Sequence, residues 1–159
     1  MKQPSPVIQL IRVGSPQAWT SFHAIRRKIL WDNRGRTGYD DKHPQDYDPQ
    51  NHALMLMVDD VPTGVLRLDR LRADAGIVRL VAIRDDVQRQ GYGRVMAQLT
   101  EAYARNLGYQ TLYVNAAPDA IGYYEKTGWS RYDWDPAELT GIAAHCIQMR
   151  RSLSVVSPA

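Results

Sequence analysis

Hydrophobic and polar positions alternate along some parts of the chain and recur at helical spacing along others. Residues 7–13 alternate and predict a first strand. Ser15 and Pro16 then supply a capping hydroxyl and a first-turn proline for a helix that we expect to run to Trp31. The apolar positions of this helix recur every three or four residues and form its expected core face: Trp19, Phe22, Ile25, Ile29 and Leu30.

A hairpin and a central strand are predicted next. Residues 53–58 and 63–70 have the composition of strands and are joined by a turn at 59–62. The run 77–83 is apolar except for Arg79, which is typical of a strand that is covered on both faces.

The second half of the chain alternates helices with strands. Its pattern predicts a helix over 93–107 with Gly108 as a left-handed cap, a short strand over 111–115, and a helix over 118–127. The last two strands are expected over 129–134 and 145–154. The predicted order is β-α-loop-β-β-β-α-β-α-β-β.

The segment 32–51 differs from the rest of the chain. It contains two glycines, two prolines and five aspartates, so we expect a long loop with at most one helical turn. Long loops in compact domains are often functional.

Composition limits the classes of function. The 159 residues fit one domain, and 20 Lys and Arg against 17 Asp and Glu give a net charge of +3 that is spread along the chain. No basic run is longer than Arg26-Arg27-Lys28, so nucleic acid is not an expected partner. Cys146 is the only cysteine, and no apolar run approaches a membrane span. We therefore expect a cytoplasmic protein with no membrane partner and no metal.

The loop Gln88-Arg89-Gln90-Gly91-Tyr92-Gly93 is the strongest chemical signal. It carries two glycines directly after a buried strand and opens into a helix that has no acidic residue in its first turn. Such a helix start presents unpaired N–H groups and a positive dipole end, which suit a pyrophosphate. A plain strand-to-helix turn is the alternative. A dinucleotide fingerprint needs a small residue at Met96 and a P-loop needs Gly-Lys-Ser/Thr, and neither is present.

A second motif follows some thirty residues later, Tyr123-Tyr124-Glu125-Lys126-Thr127-Gly128-Trp129. In this order, the two motifs and their elements resemble the Gcn5-related N-acetyltransferases, the GNAT family. The resemblance implies an α/β (α+β) fold over residues 1–159 as a single domain, with a mixed central sheet of about seven strands flanked by about four helices. It also implies acetyl-CoA as cosubstrate, and it leaves a homodimer open.

The resemblance assigns residues to the cofactor. The family motif Gln/Arg-x-x-Gly-x-Gly/Ala falls on Gln88, Gly91 and Gly93, whose backbone would cradle the pyrophosphate. The central strand would offer main-chain groups to the pantetheine arm. Asn115 and Lys126 have more ordinary alternatives, as a turn former and a solvated lysine. The expected cofactor-binding residues are Val81, Ala82, Ile83, Gln88, Arg89, Gln90, Gly91, Tyr92, Gly93, Arg94, Asn115 and Lys126.

Tyr124 occupies the position of the family's catalytic tyrosine, whose hydroxyl points at the thioester sulfur. A phenol with a pKa of about 10 can give a proton to the departing thiolate. The resemblance also places an oxyanion donor on the central strand, at the backbone N–H of Val81 or Ala82. The alternative is that Tyr124 only packs.

A general base is harder to assign. Residues 77–83 contain no glutamate, so a water chain that ends at Asp69, Asp48 or His52 is the expected solution. His145 and Cys146 are expected to be packing residues, so we expect direct transfer without an acetyl-cysteine intermediate.

The acceptor amine is not identified by the sequence. Asp40, Asp41, Asp46 and Asp48 lie among aromatic residues and can hold a cationic amine of a small molecule or peptide, or they can cap turns. Two functions stay open. One is an active N-acetyltransferase, and the alternative is a catalytically weak CoA-binding sensor or interaction domain on the same fold.

Overall fold

Seven strands and three α-helices make up the architecture of the computed structural model, which describes residues 4–153. The strands are β1 Ile8–Arg12, β2 Asn51–Val58, β3 Val61–Arg72, β4 Ala75–Ile83, β5 Thr111–Ala116, β6 Ser130–Arg131 and β7 Ile147–Ser152. The helices are α1 Pro16–Leu30, α2 Tyr92–Asn106 and α3 Ile121–Lys126. No helix among these residues combines the length and apolarity needed to cross a membrane.

The strands form one mixed sheet in the order β1-β2-β3-β4-β5-β7-β6. The β4–β5 pair is parallel, whereas β1–β2, β5–β7 and β6–β7 are antiparallel. The parallel register runs from Ala75↔Thr111 to Val78↔Val114, and Asn115 pairs with Gln148 of β7. Two residues beyond Val78, Leu80 has a φ of 55°, which is uncommon for a residue with a side chain.

The described chain divides into two compact units. Unit 1 comprises residues 4–68 and Leu80–Thr100, and unit 2 comprises Asp69–Arg79 and residues 101–153. Unit 1 has a core in which residues of α1 pack with β2, β3 and β4: Phe22, Ile25, Leu30, Ala53, Met55, Val65 and Ala82. Unit 2 has a smaller cluster of Ala75, Ile77 and Tyr113, against which Trp134 packs.

Helix α1 follows its sequence signals closely. The Ser15 hydroxyl accepts a hydrogen bond from the Ala18 N–H at 3.1 Å, and Pro16 occupies the first turn. Phe22, Ile25 and Leu30 are buried as predicted, but Arg26 is buried on the same helix. A charged residue in a core position requires a partner.

The predicted fold is confirmed, with differences in detail. Three α-helices are present where about four were expected, and β6 has only two residues because the aromatic side chains after it pack on Tyr113. The loop after α1 contains two short 3-10 turns, Asp32–Arg34 and Pro44–Tyr47. The last strand ends at Ser152, and the predicted strand residue Ser154 lies outside the described residues.

Candidate active site

The end of β4 presents the main chain that the sequence assigned to the cofactor arm. Ala82 is buried, whereas Val81 and Ile83 are half-buried. The positive φ of Leu80 interrupts the regular strand conformation immediately before Val81. The N–H of Arg84 donates to the carbonyl of Thr63 at 3.0 Å, which ties the end of the strand to β3. A strand with such an interruption can point a backbone N–H away from the hydrogen bonds that join it to the neighbouring strand.

The loop after β4 contains two residues with left-handed backbone. Arg89 and Gly91 both have positive φ, at 67° and 88°, within four residues of the start of α2. Left-handed residues among ordinary ones make successive N–H groups converge on one concave side, as in anion-binding nests. The Gln88 amide donates to the carbonyl of Ile83 at 3.0 Å and so fixes the loop against β4.

The loop is open where a phosphate would approach. Gly91 is exposed, and a Cβ built on it would meet no heavy atom within 4 Å. Helix α2 has no acidic residue in its first turn, so its positive dipole end is not neutralised locally. Arg89 and Arg94 are exposed on either side of Gly91. These are the features that the sequence predicted for a pyrophosphate site.

Tyr124 is buried on the short helix α3. Its ring packs edge-on against Tyr123 and Trp129, at centroid distances of 5.2 and 5.3 Å. The Trp129 N–H donates to the Tyr124 carbonyl at 3.0 Å, which closes the helix at Gly128. Burial, with smaller contributions from Tyr123 and Cys146, raises the pKa of Tyr124 well above its ordinary value. The phenol is therefore neutral throughout the neutral range, which is the protonation state that the predicted acid role requires.

Asn115 is held at the end of β5 by polar neighbours. Its Oδ1 accepts from Gln148 Nε2 at 3.0 Å, and its Nδ2 donates to Glu138 Oε1 at 3.4 Å. The same Glu138 oxygen accepts from Arg79 Nη1 at 2.7 Å, and Arg79 Nε donates to Asp69 at 2.8 Å. A fixed amide in a hydrogen-bonded network is not a simple turn former.

Sequence reasoning missed Glu138 and Gln148. The only signal was Arg79, which is the one polar residue in an apolar strand and therefore needs an acidic partner. The partner lies on the 3-10 turn Pro136–Glu138, between the last two predicted strands, where the sequence pattern predicted no element. Lys126, the last residue of α3, is exposed.

Two of the expected acceptors for a proton have structural partners. Asp69 is buried and forms its ion pair with Arg79, whereas Asp48 is exposed and accepts from the Gln50 N–H at 2.8 Å as a turn cap. His52 is buried on β2, and its role as a proton acceptor stays a prediction. His145 is exposed, not partly buried as expected.

The aspartates of the long loop do not act as one group. Asp40 caps a turn by accepting from the Lys42 N–H at 2.8 Å. Asp46 is buried and accepts hydrogen bonds from both Arg26 and Arg67. These contacts, with the cap at Asp48, favour the turn-capping and structural alternative over a cation site.

The structure groups the predicted cofactor residues within its two units. Val81, Ala82, Ile83 and residues 88–94 lie in unit 1, where the Gln88 side chain joins strand and loop. Asn115, Tyr124 and Lys126 lie in unit 2.

Comparison with known families decides the assignment of the chain. Residues 19–129 match the model of the acetyltransferase (GNAT) family. The chain belongs to this family. Among the curated proteins, none matches the chain.

Solved structures of this GNAT protein's fold are numerous and distant in sequence. A provisionally assigned N-acetyltransferase from Lactobacillus plantarum is 21% identical with a TM-score of 0.77, covering 92% of this chain and 99% of its own. An acyl-CoA N-acyltransferase from Pseudomonas aeruginosa is 18% identical with a TM-score of 0.72, covering 93% and 100%. An aminoglycoside 6'-N-acetyltransferase solved with coenzyme A is 12% identical with a TM-score of 0.72, covering 96% and 99%. At these identities the likeness shows the fold alone.

Proposed function

We propose that this GNAT protein transfers the acetyl group of acetyl-CoA directly to a primary amine of a small molecule or peptide. The observation that carries the proposal is the loop between β4 and α2. It combines two positive φ values, an open glycine and a helix start without acidic residues, all at the family's phosphate motif. The structural relative solved with coenzyme A supports the choice of donor.

In the proposed cofactor site, residues 88–94 bind the pyrophosphate and the main chain of Val81 and Ile83 binds the pantetheine arm. Asn115 contacts the cofactor or an ordered water, and Lys126 flanks the adenosine phosphates. The Asn115 amide is suited to this role because Gln148 and Glu138 fix its orientation. These roles follow the family pattern residue by residue.

In the proposed reaction, the amine nitrogen attacks the acetyl carbonyl carbon and forms a tetrahedral intermediate. A backbone N–H of Val81 or Ala82 stabilises the negative oxygen. The C–S bond then breaks, and the departing thiolate takes the phenol proton of Tyr124. The attacking nitrogen, which became positively charged when it formed the C–N bond, gives its extra proton to water and leaves a neutral amide. The phenol regains a proton from solvent. The Tyr124 phenol carries this proton at neutral pH even at its ordinary pKa of 10.0, and burial shifts the pKa further upwards.

A CoA-binding sensor is the second candidate. It is favoured by the absence of a glutamate in residues 77–83 and by the engagement of Asp69 with Arg79. Thiol release from acetyl-CoA with pooled amines, compared with acetyl-CoA binding in calorimetry, separates the two functions. Binding together with amine-dependent thiol release supports the enzyme. Binding without turnover on any amine supports the sensor.

A further inference from the structure

Arg26 is a buried guanidinium that uses only part of its hydrogen-bonding capacity. Its Nη1 donates to both carboxylate oxygens of Asp46, at 3.0 and 2.9 Å. Asp46 Oδ1 also accepts from Arg67 Nη1 at 2.8 Å. The side chains of Arg26 and Asp46 are only 3% and 1% exposed. The carboxylate is thus fully engaged on one side of Arg26.

The other edge of Arg26 makes no hydrogen bond of ordinary geometry, and the nearby Tyr39 side chain interacts with the guanidinium. Nε and Nη2 are both shielded from solvent and neither makes a hydrogen bond. These two nitrogens present parallel N–H groups along one edge of the planar guanidinium, which is the geometry that accepts two oxygens of a carboxylate. Buried donors without acceptors are costly and rare in folded proteins. An unfilled fork of this kind therefore points to a ligand.

The guanidinium that carries this edge packs on the buried core of unit 1, which includes one residue of β4. The Arg26 guanidinium lies 4.4 Å from the centroid of the Phe22 ring, and Phe22 belongs to the same buried cluster as Ala82 of β4. Burial raises the pKa of Tyr39 to about 12, and both the charge of Arg26 and its polar contact with the Tyr39 hydroxyl oppose that rise, so this hydroxyl lies beside the guanidinium.

Tyr39 covers the guanidinium and is itself held by a contact with His23. It is half-buried, follows Gly38 and is hydrogen-bonded to His23 Nδ1 at 2.5 Å. The hydroxyl of Tyr47 donates to the Asp41 carbonyl, so it accepts from His23 Nε2, and His23 Nδ1 in turn accepts from Tyr39. The hydroxyl proton of Tyr39 therefore points at His23, not at a ligand on Arg26.

We propose that the acceptor amine carries a carboxylate, which binds side-on to the Nε and Nη2 edge of Arg26. This inference rests on the proposed acetyl transfer and names the class of acceptor, an amino acid or a molecule with an amino-acid headgroup. A carboxylate fits better than a phosphate because Asp46 lies on the same guanidinium, and its charge repels a dianion more than a monoanion.

The test compares acceptors that differ only at the carboxylate. Each of a panel of L-amino acids is paired with its C-terminal amide, and kcat/KM is measured by thiol release from acetyl-CoA. The wild type should prefer the acids that it acetylates over their amides by about tenfold or more. Equal rates on acids and amides would overturn the inference and leave acetyl transfer intact.

Arg26→Lys tests the residue itself. Lysine keeps a positive charge for Asp46 but has no two-nitrogen edge, so KM for the acids should rise by about 10- to 100-fold while the amides change little. For each acid and each amide, the KM of the variant is divided by the KM of the wild type. This ratio cancels the difference in reactivity between the amines of the acid and the amide. Arg27→Lys is the same change at the exposed neighbouring position, and it should leave KM for the acids and KM for the amides unchanged. A folded Arg26→Lys that keeps the wild-type preference for acids would contradict the proposal.

A binding measurement separates this inference from the proposed reaction. The same acids and amides are titrated by calorimetry in the presence of coenzyme A, without turnover. Acids that bind to the wild type but not to Arg26→Lys support the carboxylate site even if no acetylation occurs, in which case only the proposed reaction fails. Absence of binding by every acid, with amides acetylated, would overturn the carboxylate site alone.

Discussion

At the scale of single residues, Tyr124 is the group on which the proposed chemistry depends. We expect Tyr124→Phe to lower turnover by about one hundred- to ten thousand-fold while acetyl-CoA affinity barely changes, because the ring stays and only the proton is lost. Single-turnover acetyl transfer measures this directly, without interference from slow product release. Tyr123→Phe, on the same helix, is the control and should retain activity. A Tyr124→Phe variant with more than about a third of wild-type single-turnover rate would exclude the acid role.

The raised pKa of Tyr124 gives this residue a pH signature. Because burial favours the neutral phenol, the acid form should persist beyond the ordinary tyrosine pKa of 10.0. We therefore expect no loss of turnover from this group between pH 7 and about pH 10. The measurement is the pH profile of kcat for wild type and Tyr124→Phe. An alkaline limb well below pH 10 that disappears in the variant would show that the phenol is not buried as described.

Asp46 belongs to the same scale, but its predicted effect is on folding. It is the common carboxylate of two buried arginines, so Asp46→Asn should lower the free energy of unfolding by about 3 kcal/mol. Urea denaturation measures this, and Asp48→Asn is the control because Asp48 only caps an exposed turn. An Asp46→Asn variant within about 0.5 kcal/mol of wild type would contradict the structural role.

At the scale of elements, the loop between β4 and α2 carries the cofactor assignment. Gly91 and Gly108 both have a φ of 88° and both have open space at their Cβ positions, so alanine imposes the same backbone strain at each. We expect Gly91→Ala to weaken acetyl-CoA binding by about tenfold or more, and Gly108→Ala to leave it unchanged. Calorimetric titration of the two folded variants gives the comparison. If Gly91→Ala and Gly108→Ala bound acetyl-CoA with equal affinity, the loop would not be the phosphate-binding site.

The α1 helix and the loop after it are joined by His23, which makes their stability depend on pH. Burial, and then Arg26, lower the pKa of His23 below its ordinary 6.5, against the opposing effect of Asp46, Asp41 and Asp40. The unfolded chain therefore binds a proton more readily than the folded one, and stability should fall as the pH decreases below about 6.5. Urea denaturation at pH 7.5 and at pH 5.5 gives the free energy of unfolding at each pH. The loss of this free energy between the two pH values should be smaller for His23→Gln than for wild type. The same difference in both proteins would show that His23 does not titrate in this way.

The sequence pattern predicted an element well when the residues that determine it lie within that element. The predicted α1 over 15–31 is found at Pro16–Leu30, because its cap, its proline and its apolar stripe all lie within the helix. The strand expected over 129–134 is found only at Ser130–Arg131. Its later aromatic residues, Tyr132 and Trp134, favour strands but pack on Tyr113, and Trp134 Nε1 donates to the Val114 carbonyl at 3.1 Å.

At the scale of the whole molecule, the family and the sheet were predictable from two motifs in the right order. The polar networks were not, because each joins residues that are distant in sequence. Arg26 pairs with Asp46, which lies 20 residues later in the long loop. Arg79 pairs with Glu138, which lies 59 residues later. A buried charge in an apolar pattern indicates that a partner exists, but only the fold identifies it.

The central claim is that this GNAT protein moves an acetyl group from acetyl-CoA to an amine. The most direct measurement is mass spectrometry of a reaction with isotopically labelled acetyl-CoA and a pool of amines, with released thiol counted in parallel. We predict one labelled acetyl group on an amine for each thiol released, and a parallel loss of both in Tyr124→Phe. Thiol release without an acetylated amine, or bound acetyl-CoA with neither product, would contradict the account.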